Sequence, residues 1–194
     1  KFRESSLRLV LTGGELVGGL NFNFKRPTFA ILAEPYHKQS EGLFEKGVKL
    51  MTYDHQRFLP EAKTVNYITA VLLQQWREKN NAFEILYTNN GKILEPSTSN
   101  FFAFLGDTLV TPKRDILIGT TRNLVLKLAK SKFKIEERDV TIKEISKFTE
   151  AFITGTNKEI LPVVQINKKM IKKGKVGLNT KYLLELYRKY TQKQ

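Results

Sequence analysis

Apolar and polar positions divide the chain into many short extended runs and a few helical ones. Leu7–Thr12 (LRLVLT) is a β-rich run stopped by Gly13-Gly14, and a second glycine pair, Gly18-Gly19, follows closely. Pro27–Ala33 is almost continuously apolar, which predicts a strand buried on both faces. Residues 34–45 mix Pro, His, Lys, Gln, Ser and Gly and read as a polar connector, the best candidate for a domain boundary. Gly47–Tyr53 resumes strand-like alternation. Beyond Pro60 the period lengthens: Val65, Ile68, Leu72 and Trp76 recur at spacings of three and four, predicting a helix from about Thr64 to Lys79 with one buried face. Ala82–Tyr87 and Lys92–Glu95 flank Asn89-Asn90-Gly91, a hairpin signal. Phe101–Leu105 and Thr108–Thr111 form a second hairpin around Gly106-Asp107. A helix over Thr121–Ala129 turns Leu124, Val125 and Leu128 inward, Phe133–Glu137 is a strand, and Thr141 caps a short helix to Lys147 with Glu144 three residues on. Ala151–Thr154 and Leu161–Ile166 are apolar strands, and a last helix sets Tyr182, Leu183, Leu186 and Tyr190 on one side. The class is α+β.

Composition narrows the range of functions. The chain has 194 residues, 41% of them hydrophobic, enough for a packed core. No apolar run approaches the roughly 20 residues of a membrane helix. Cysteine is absent, which removes disulfides and cysteine-based metal or nucleophile sites; it is compatible with a reducing compartment, and a cytoplasmic enzyme is expected. Against 33 Lys+Arg stand 19 Asp+Glu, a net charge of +14, which leaves nucleic acid, an anionic membrane surface or an anionic ligand as partners. Lys168, Lys169, Lys172, Lys173 and Lys175 cluster around one turn without interleaved aromatics and read as a solvated hairpin. His37 and His55 have no metal or triad pattern and read as structural; no metal is expected.

Four segments can carry chemistry, and each also has an ordinary reading. Glu95-Pro96-Ser97-Thr98-Ser99-Asn100 is either a strand-to-strand turn or a polar pocket wall with one carboxylate. Ile116–Arg122 leads through Gly119-Thr120-Thr121 into a helix; its start is either a plain Thr cap or a phosphate site made of free N–H groups and hydroxyls. Thr154-Gly155-Thr156-Asn157 is a glycine loop or a second set of anion donors. Lys63, between a proline and an apolar helix, is one of many surface lysines or, desolvated by that helix, a neutral nucleophilic amine able to form a Schiff base.

Together these parts match the needs of pyridoxal phosphate (PLP): a lysine, a carboxylate for a pyridinium nitrogen and two phosphate-grade loops. Lys63–Tyr67, Glu95–Phe102, Ile116–Arg122 and Ile153–Val163, with the closing Gly174-Lys175-Val176-Gly177, resemble in order and wording the fold-type IV PLP enzymes. That is the class IV aminotransferase family of branched-chain aminotransferases, D-amino-acid aminotransferases and 4-amino-4-deoxychorismate lyases. The resemblance implies the D-amino-acid aminotransferase-like fold, with a β-rich large domain over 39–194 and residues 1–38 as the tail of a small N-terminal domain. It implies Lys63 as the catalytic Schiff-base lysine and Glu95 as partner of the ring nitrogen, with Thr98 and Asn100 in the wall around them. Leu117 would lie on the ring face, Thr120, Thr121 and Thr156 would bind the phosphate, and Tyr67 would reach the ring hydroxyl.

The implied activity is transamination between an amino acid, branched-chain in type, and a 2-oxo acid, by a homodimer with neither nucleic acid nor membrane as partner. Ser6-Leu7-Arg8 resembles the Tyr-x-Arg strand of branched-chain enzymes, which makes Arg8 a substrate-carboxylate candidate although Ser6 replaces the aromatic; an edge-strand surface charge is the other reading. Glu15–Lys25 lacks the Arg-x-His pair of D-specific enzymes, and Thr154-Gly155-Thr156 stands where lyases have an Asn-type loop. Lyase, D-amino-acid aminotransferase and an inactive scaffold remain the alternatives. The first residue is Lys1, and the family's phosphate-binding Arg belongs to a segment ahead of it, so a truncated chain is expected.

Overall fold

A computed structural model describes residues 4–192. The chain divides into two compact units, Lys1–Lys38 and Gln39–Gln194. In the first, β1 (Ser5–Thr12) and β4 (Thr28–Pro35) pair antiparallel from Ser5↔Pro35 to Thr12↔Thr28, and between them lie β2 (Leu16–Gly18) and β3 (Asn21–Phe22), a small ribbon of their own. The expected burial of Pro27–Ala33 on both faces is not found: Phe29 and Ile31 of β4 are exposed, as are Leu7, Leu9 and Leu11 of β1. A two-stranded ribbon has no second layer of its own to cover either face.

The second unit begins with α1 (Glu41–Lys46), which takes up the end of the stretch read as a connector, followed by β5 (Val48–Asp54). The predicted helix over 64–79 is broken into α2 (Ile68–Leu72) and α3 (Gln74–Lys79), and its supposed inner face is open: Val65, Ile68 and Leu72 are exposed. Thr64, Val65, Asn66 and Tyr67 are all poor helix formers, so the helix starts late. The apolar period marks a face that needs a cover, and no described residue of this unit supplies one.

Then come β6 (Glu84–Asn89), β7 (Lys92–Pro96), β8 (Asn100–Leu105), β9 (Thr108–Thr111), α4 (Thr120–Ala129), β10 (Lys134–Glu137), β11 (Val140–Thr141), β12 (Glu150–Gly155), β13 (Glu159–Ile166), β14 (Lys169–Met170) and α5 (Leu178–Thr191). Among the described residues the strands form one mixed ten-stranded sheet, ordered β10-β9-β8-β12-β13-β5-β6-β7-β11, with β14 on β13. Asn90 (φ 49°) and Gly91 (φ 73°) close the β6–β7 hairpin as the Asn-Gly pair predicts, fixing Asn89 opposite Lys92. Phe102 stacks on Phe152 across β8 and β12 with ring centroids 4.9 Å apart, and Phe104 meets Phe133 edge-on. Each such buried ring contributes about 1.5–3 kcal/mol.

The 3₁₀ helix over Ile142–Lys147 carries the expected capping box: the backbone N–H and hydroxyl of Thr141 both donate to Glu144 Oε2, at 2.7 and 2.9 Å. On α4 the buried face is rotated from the one expected. Arg122, Val125, Leu126 and Ala129 are buried, whereas Leu124 and Leu128 are only half so. Arg122 goes inside because Nη2 donates to Pro112 O at 3.0 Å and Glu137 Oε2 at 2.8 Å. On α5 Leu183 and Leu184 are buried, while Tyr182, Leu186 and Tyr190 are half-buried. Glu150 caps that helix, accepting from the N–H groups of Asn179 (3.2 Å) and Thr180 (2.8 Å).

Candidate functional site

The second unit holds a cavity of about 390 Å³ where four loop or strand-end segments converge. Lys63 and Tyr67 line it from the segment before α2, and Glu95, Thr98 and Asn100 from the end of β7 and its turn into β8. Leu117, Gly119, Thr120 and Thr121 come from the entry to α4, and Thr154, Gly155 and Thr156 from the end of β12. The nine residues singled out as lysine, ring or phosphate contacts therefore face one space, although Lys63 and Thr156 are 93 positions apart in the chain. Arg8, the remaining candidate, is part of the other unit. It is exposed on β1, and its Nη2 donates to Glu34 Oε2 at 3.4 Å.

Glu95 is the electrostatic centre of the cavity wall. Its carboxylate is buried and accepts from Arg57 Nη1 (2.9 Å), Leu117 N–H (2.9 Å) and Asn100 Nδ2 (3.4 Å). Burial pushes its pKa up, and the Glu84 charge adds to that; the Leu117 N–H and Arg57 pull it back only in part. A carboxyl poised in this way responds strongly to any cation or N–H group placed in the cavity.

Arg57 was not visible as a site residue in the sequence. It bridges the wall to the lysine segment, because Nη2 donates at 2.9 Å to the carbonyl of Ala62, the neighbour of Lys63. Lys63 itself is exposed, and so are most residues of the segment that follows it. The desolvation expected from a buried adjacent helix is therefore missing.

The α4 entry is shaped by Gly119. A Cβ there would lie 2.3 Å from Asn100 Oδ1, inside van der Waals contact, so glycine lets the chain pass without displacing the Asn100 amide. That amide donates at 2.7 Å to Leu117 O, linking two walls of the cavity. Gly119 is the N-cap of α4, so Thr120 and Thr121 follow as its first helical residues, where backbone N–H groups are free and the helix dipole is positive. Thr154 Oγ1, facing the same cavity, is buried and has no hydrogen-bond partner among the described residues. An unmet buried hydroxyl beside a helix N-terminus and a glycine turn is suited to an anion's oxygen.

Elsewhere, His55 packs its ring edge-on against Tyr87 at 4.8 Å, as a structural histidine would, with burial and the Arg57 charge both lowering its pKa. In the lysine-rich turn, Lys172 pairs with Glu150 at 3.4 Å. No helix among the described residues is long and apolar enough to cross a membrane.

This fold matches Escherichia coli branched-chain amino acid aminotransferase with a TM-score of 0.85 at 23% identity, covering 95% of this chain and 65% of that one. It also matches a Thermotoga maritima protein described as a branched-chain amino acid aminotransferase, at 0.74 and 26%, covering 89% of this chain and 64% of that one. A third branched-chain amino acid aminotransferase, from T.th. and solved with pyridoxamine 5′-phosphate, matches at 0.79 and 24%, covering 89% and 61%. In sequence the chain is 32% identical over 205 residues to the branched-chain-amino-acid aminotransferase-like protein 2 of Arabidopsis thaliana, covering 98% of this chain and 36% of that protein. It is 32% identical over 141 residues to a D-alanine aminotransferase of Bacillus licheniformis, covering 71% and 50%. The chain thus spans less than two thirds of the length of each of these relatives. The sequence pattern of the family described as amino-transferase class IV matches residues 1–166, and the chain belongs to that family.

Proposed function

We propose that residues 39–194 form the PLP-binding domain of an aminotransferase that moves an amino group between a branched-chain-type amino acid and a 2-oxo acid. The observation that carries this reading is the convergence of Lys63, Glu95 and the three phosphate-grade threonines on one cavity. The cavity's chemistry fits the cofactor. Glu95 offers a buried carboxylate for a pyridine nitrogen, and the unmet Thr154 hydroxyl, the α4 N-terminus and the Gly155-Thr156 turn offer donors for a phosphate. When bound, PLP supplies the electron sink that makes the Cα proton of an amino acid labile.

The chain's own residues do the rest. Lys63 Nζ would hold the cofactor and, once the substrate amine has taken its place, its free amine would accept the proton from the substrate Cα as general base and give it up again as general acid on the cofactor side. Glu95 would stabilise positive charge on the ring nitrogen, and Arg57, Asn100 and Leu117 N–H hold its carboxylate in place. Leu117 and Tyr67 also line the cavity, where they would pack beside the ring and meet its hydroxyl. The Escherichia coli and T.th. relatives are branched-chain aminotransferases, which supports that substrate class.

The working unit is a cytoplasmic homodimer. Phe58, Val65, Ile68, Val71 and Leu72 expose an apolar surface next to Lys63, and a second copy of the chain is the cover that the family reading supplies. Purified protein supplied with PLP and 2-oxoglutarate is to be screened against leucine, isoleucine, valine and D-alanine as amino donors. Turnover with the branched-chain donors is expected, and turnover confined to D-alanine, or none, would overturn the assignment.

A further inference from the structure

Outside the cavity, behind the Ser97–Ser99 turn, lies a second charged group that the proposed chemistry does not use. Glu84, at the start of β6, is buried, and its carboxylate collects donors from three consecutive residues. Ser97 Oγ (3.2 Å), Thr98 Oγ1 (2.7 Å) and the Thr98 N–H reach Oε1, and Ser99 Oγ (2.7 Å) reaches Oε2. Lys158 completes the cluster. Its Nζ donates to Glu84 Oε2 at 3.1 Å, to Ser99 Oγ at 2.8 Å, to Thr98 Oγ1 and, at 3.4 Å, to Thr98 O.

Lys158 belongs to the β12–β13 turn, two positions after Thr156, and its N–H closes that turn on Gly155 O at 3.0 Å. The two turns also run close together, since a Cβ on Gly155 would stand 3.5 Å from Thr98 O. Neither Glu84 nor Lys158 lines the cavity, yet the turns that they join provide two of its walls. A lysine over a buried carboxylate is a tether of low slack, because moving either turn leaves a charge or several hydroxyls unsatisfied.

We propose that Lys158 is a positioning residue: through Glu84 and the Ser97–Ser99 hydroxyls it fixes the Gly155-Thr156 turn against the Thr98 wall, and so sets the phosphate-binding geometry of the cavity. This rests on the reading of the cavity as a PLP site. It predicts a loss specific to the phosphate end of the ligand rather than a general loss of binding.

The test compares PLP with pyridoxal, which lacks the phosphate, in absorbance titrations of wild type, Lys158→Met, Lys158→Arg and the pair Lys158→Met/Glu84→Gln. The pair removes the uncompensated Glu84 charge, so it keeps the titration readable if the single variant loses stability. Lys158→Met and the pair should weaken PLP by about tenfold, as for one mis-set hydrogen bond to a charged group, and leave pyridoxal unchanged. Lys158→Arg, which keeps the cation, should recover most of the PLP affinity. Equal PLP affinity in wild type and Lys158→Met, or equal losses for PLP and pyridoxal, would overturn the positioning role. Wild type that binds neither compound would instead remove the cofactor reading beneath it.

Discussion

Replacing Arg57 by Met takes a cation away from a carboxylate that water barely reaches. The Glu95 side chain is 4% exposed and that of Arg57 15%, and they meet at 2.9 Å. Removing one partner of a buried pair costs roughly 3–5 kcal/mol, and the adjacent cavity, which admits water, favours about 3. Part of this is independent of pH: the lost Arg57–Ala62 carbonyl bond accounts for about 1 kcal/mol. The remaining ~2 kcal/mol is the loss of the Arg57 charge beside Glu95, which pushes the Glu95 pKa further up.

The direction of the pH dependence follows from proton binding. Glu95 already has a folded-state pKa above the ordinary carboxyl value of 4.5. Between 4.5 and that raised value the folded state holds the extra proton, so stability falls as pH rises, and the variant widens the window. Urea unfolding of the cofactor-free proteins at about pH 4.5 and about pH 7.5 checks this. Arg57→Met should cost about 3 kcal/mol at the higher pH and distinctly less at the lower, falling toward the about 1 kcal/mol of the Ala62 carbonyl bond as Glu95 is protonated. A cost that is the same at both values, or larger in acid, would refute the account of Glu95 as a carboxylate held ionised by Arg57.

Gly119→Ala should lower stability by about 1–3 kcal/mol in thermal unfolding, because the new Cβ must displace the Asn100 amide 2.3 Å away; a variant as stable as wild type would show that the wall gives way freely. Glu144 has a lowered pKa: burial opposes the shift, but hydrogen bonds from Arg138 and Thr141 overcome it. Its contribution to stability is present above pH 4.5 and lost as pH falls through the lowered value, so the destabilisation in Glu144→Gln should be seen near neutrality and vanish in strong acid. Burial, with the Glu84 charge, pushes Tyr87 up to about 12, so the ultraviolet difference between wild type and Tyr87→Phe should show almost no tyrosinate at about pH 10, where an ordinary tyrosine is half ionised.

Features controlled by neighbouring residues were legible in the sequence. The Asn90-Gly91 turn, the Thr141–Glu144 capping box and the start of α4 each depend on a few adjacent residues, and the chain folds there as its local chemistry requires. The four segments of the cavity were legible for another reason: each carries its own turn or cap, and their order resembles a family. The partners that organise those segments were not legible. Arg57 and Glu95 are 38 positions apart, and Glu84 and Lys158 are 74, so no window along the chain joins them. Among 33 Lys and Arg residues neither cation stands out by type. Burial also misled. The apolar runs at Pro27–Ala33 and Val65–Leu72 were read as inner faces, but apolarity states only that a face favours a cover. The rotation of the buried face on α4 has the same origin, since Arg122 looks polar until Pro112 O and Glu137 meet its guanidinium.

The central claim is that Lys63 holds the cofactor in the cavity that Glu95 and the threonines enclose. Borohydride reduction of the chain after incubation with PLP, followed by peptide mapping, tests it most directly. A pyridoxyl group on Lys63 in preference to the other lysines is expected, with no such modification in Lys63→Ala. Label spread evenly over surface lysines, or centred on a residue away from the cavity, would contradict it.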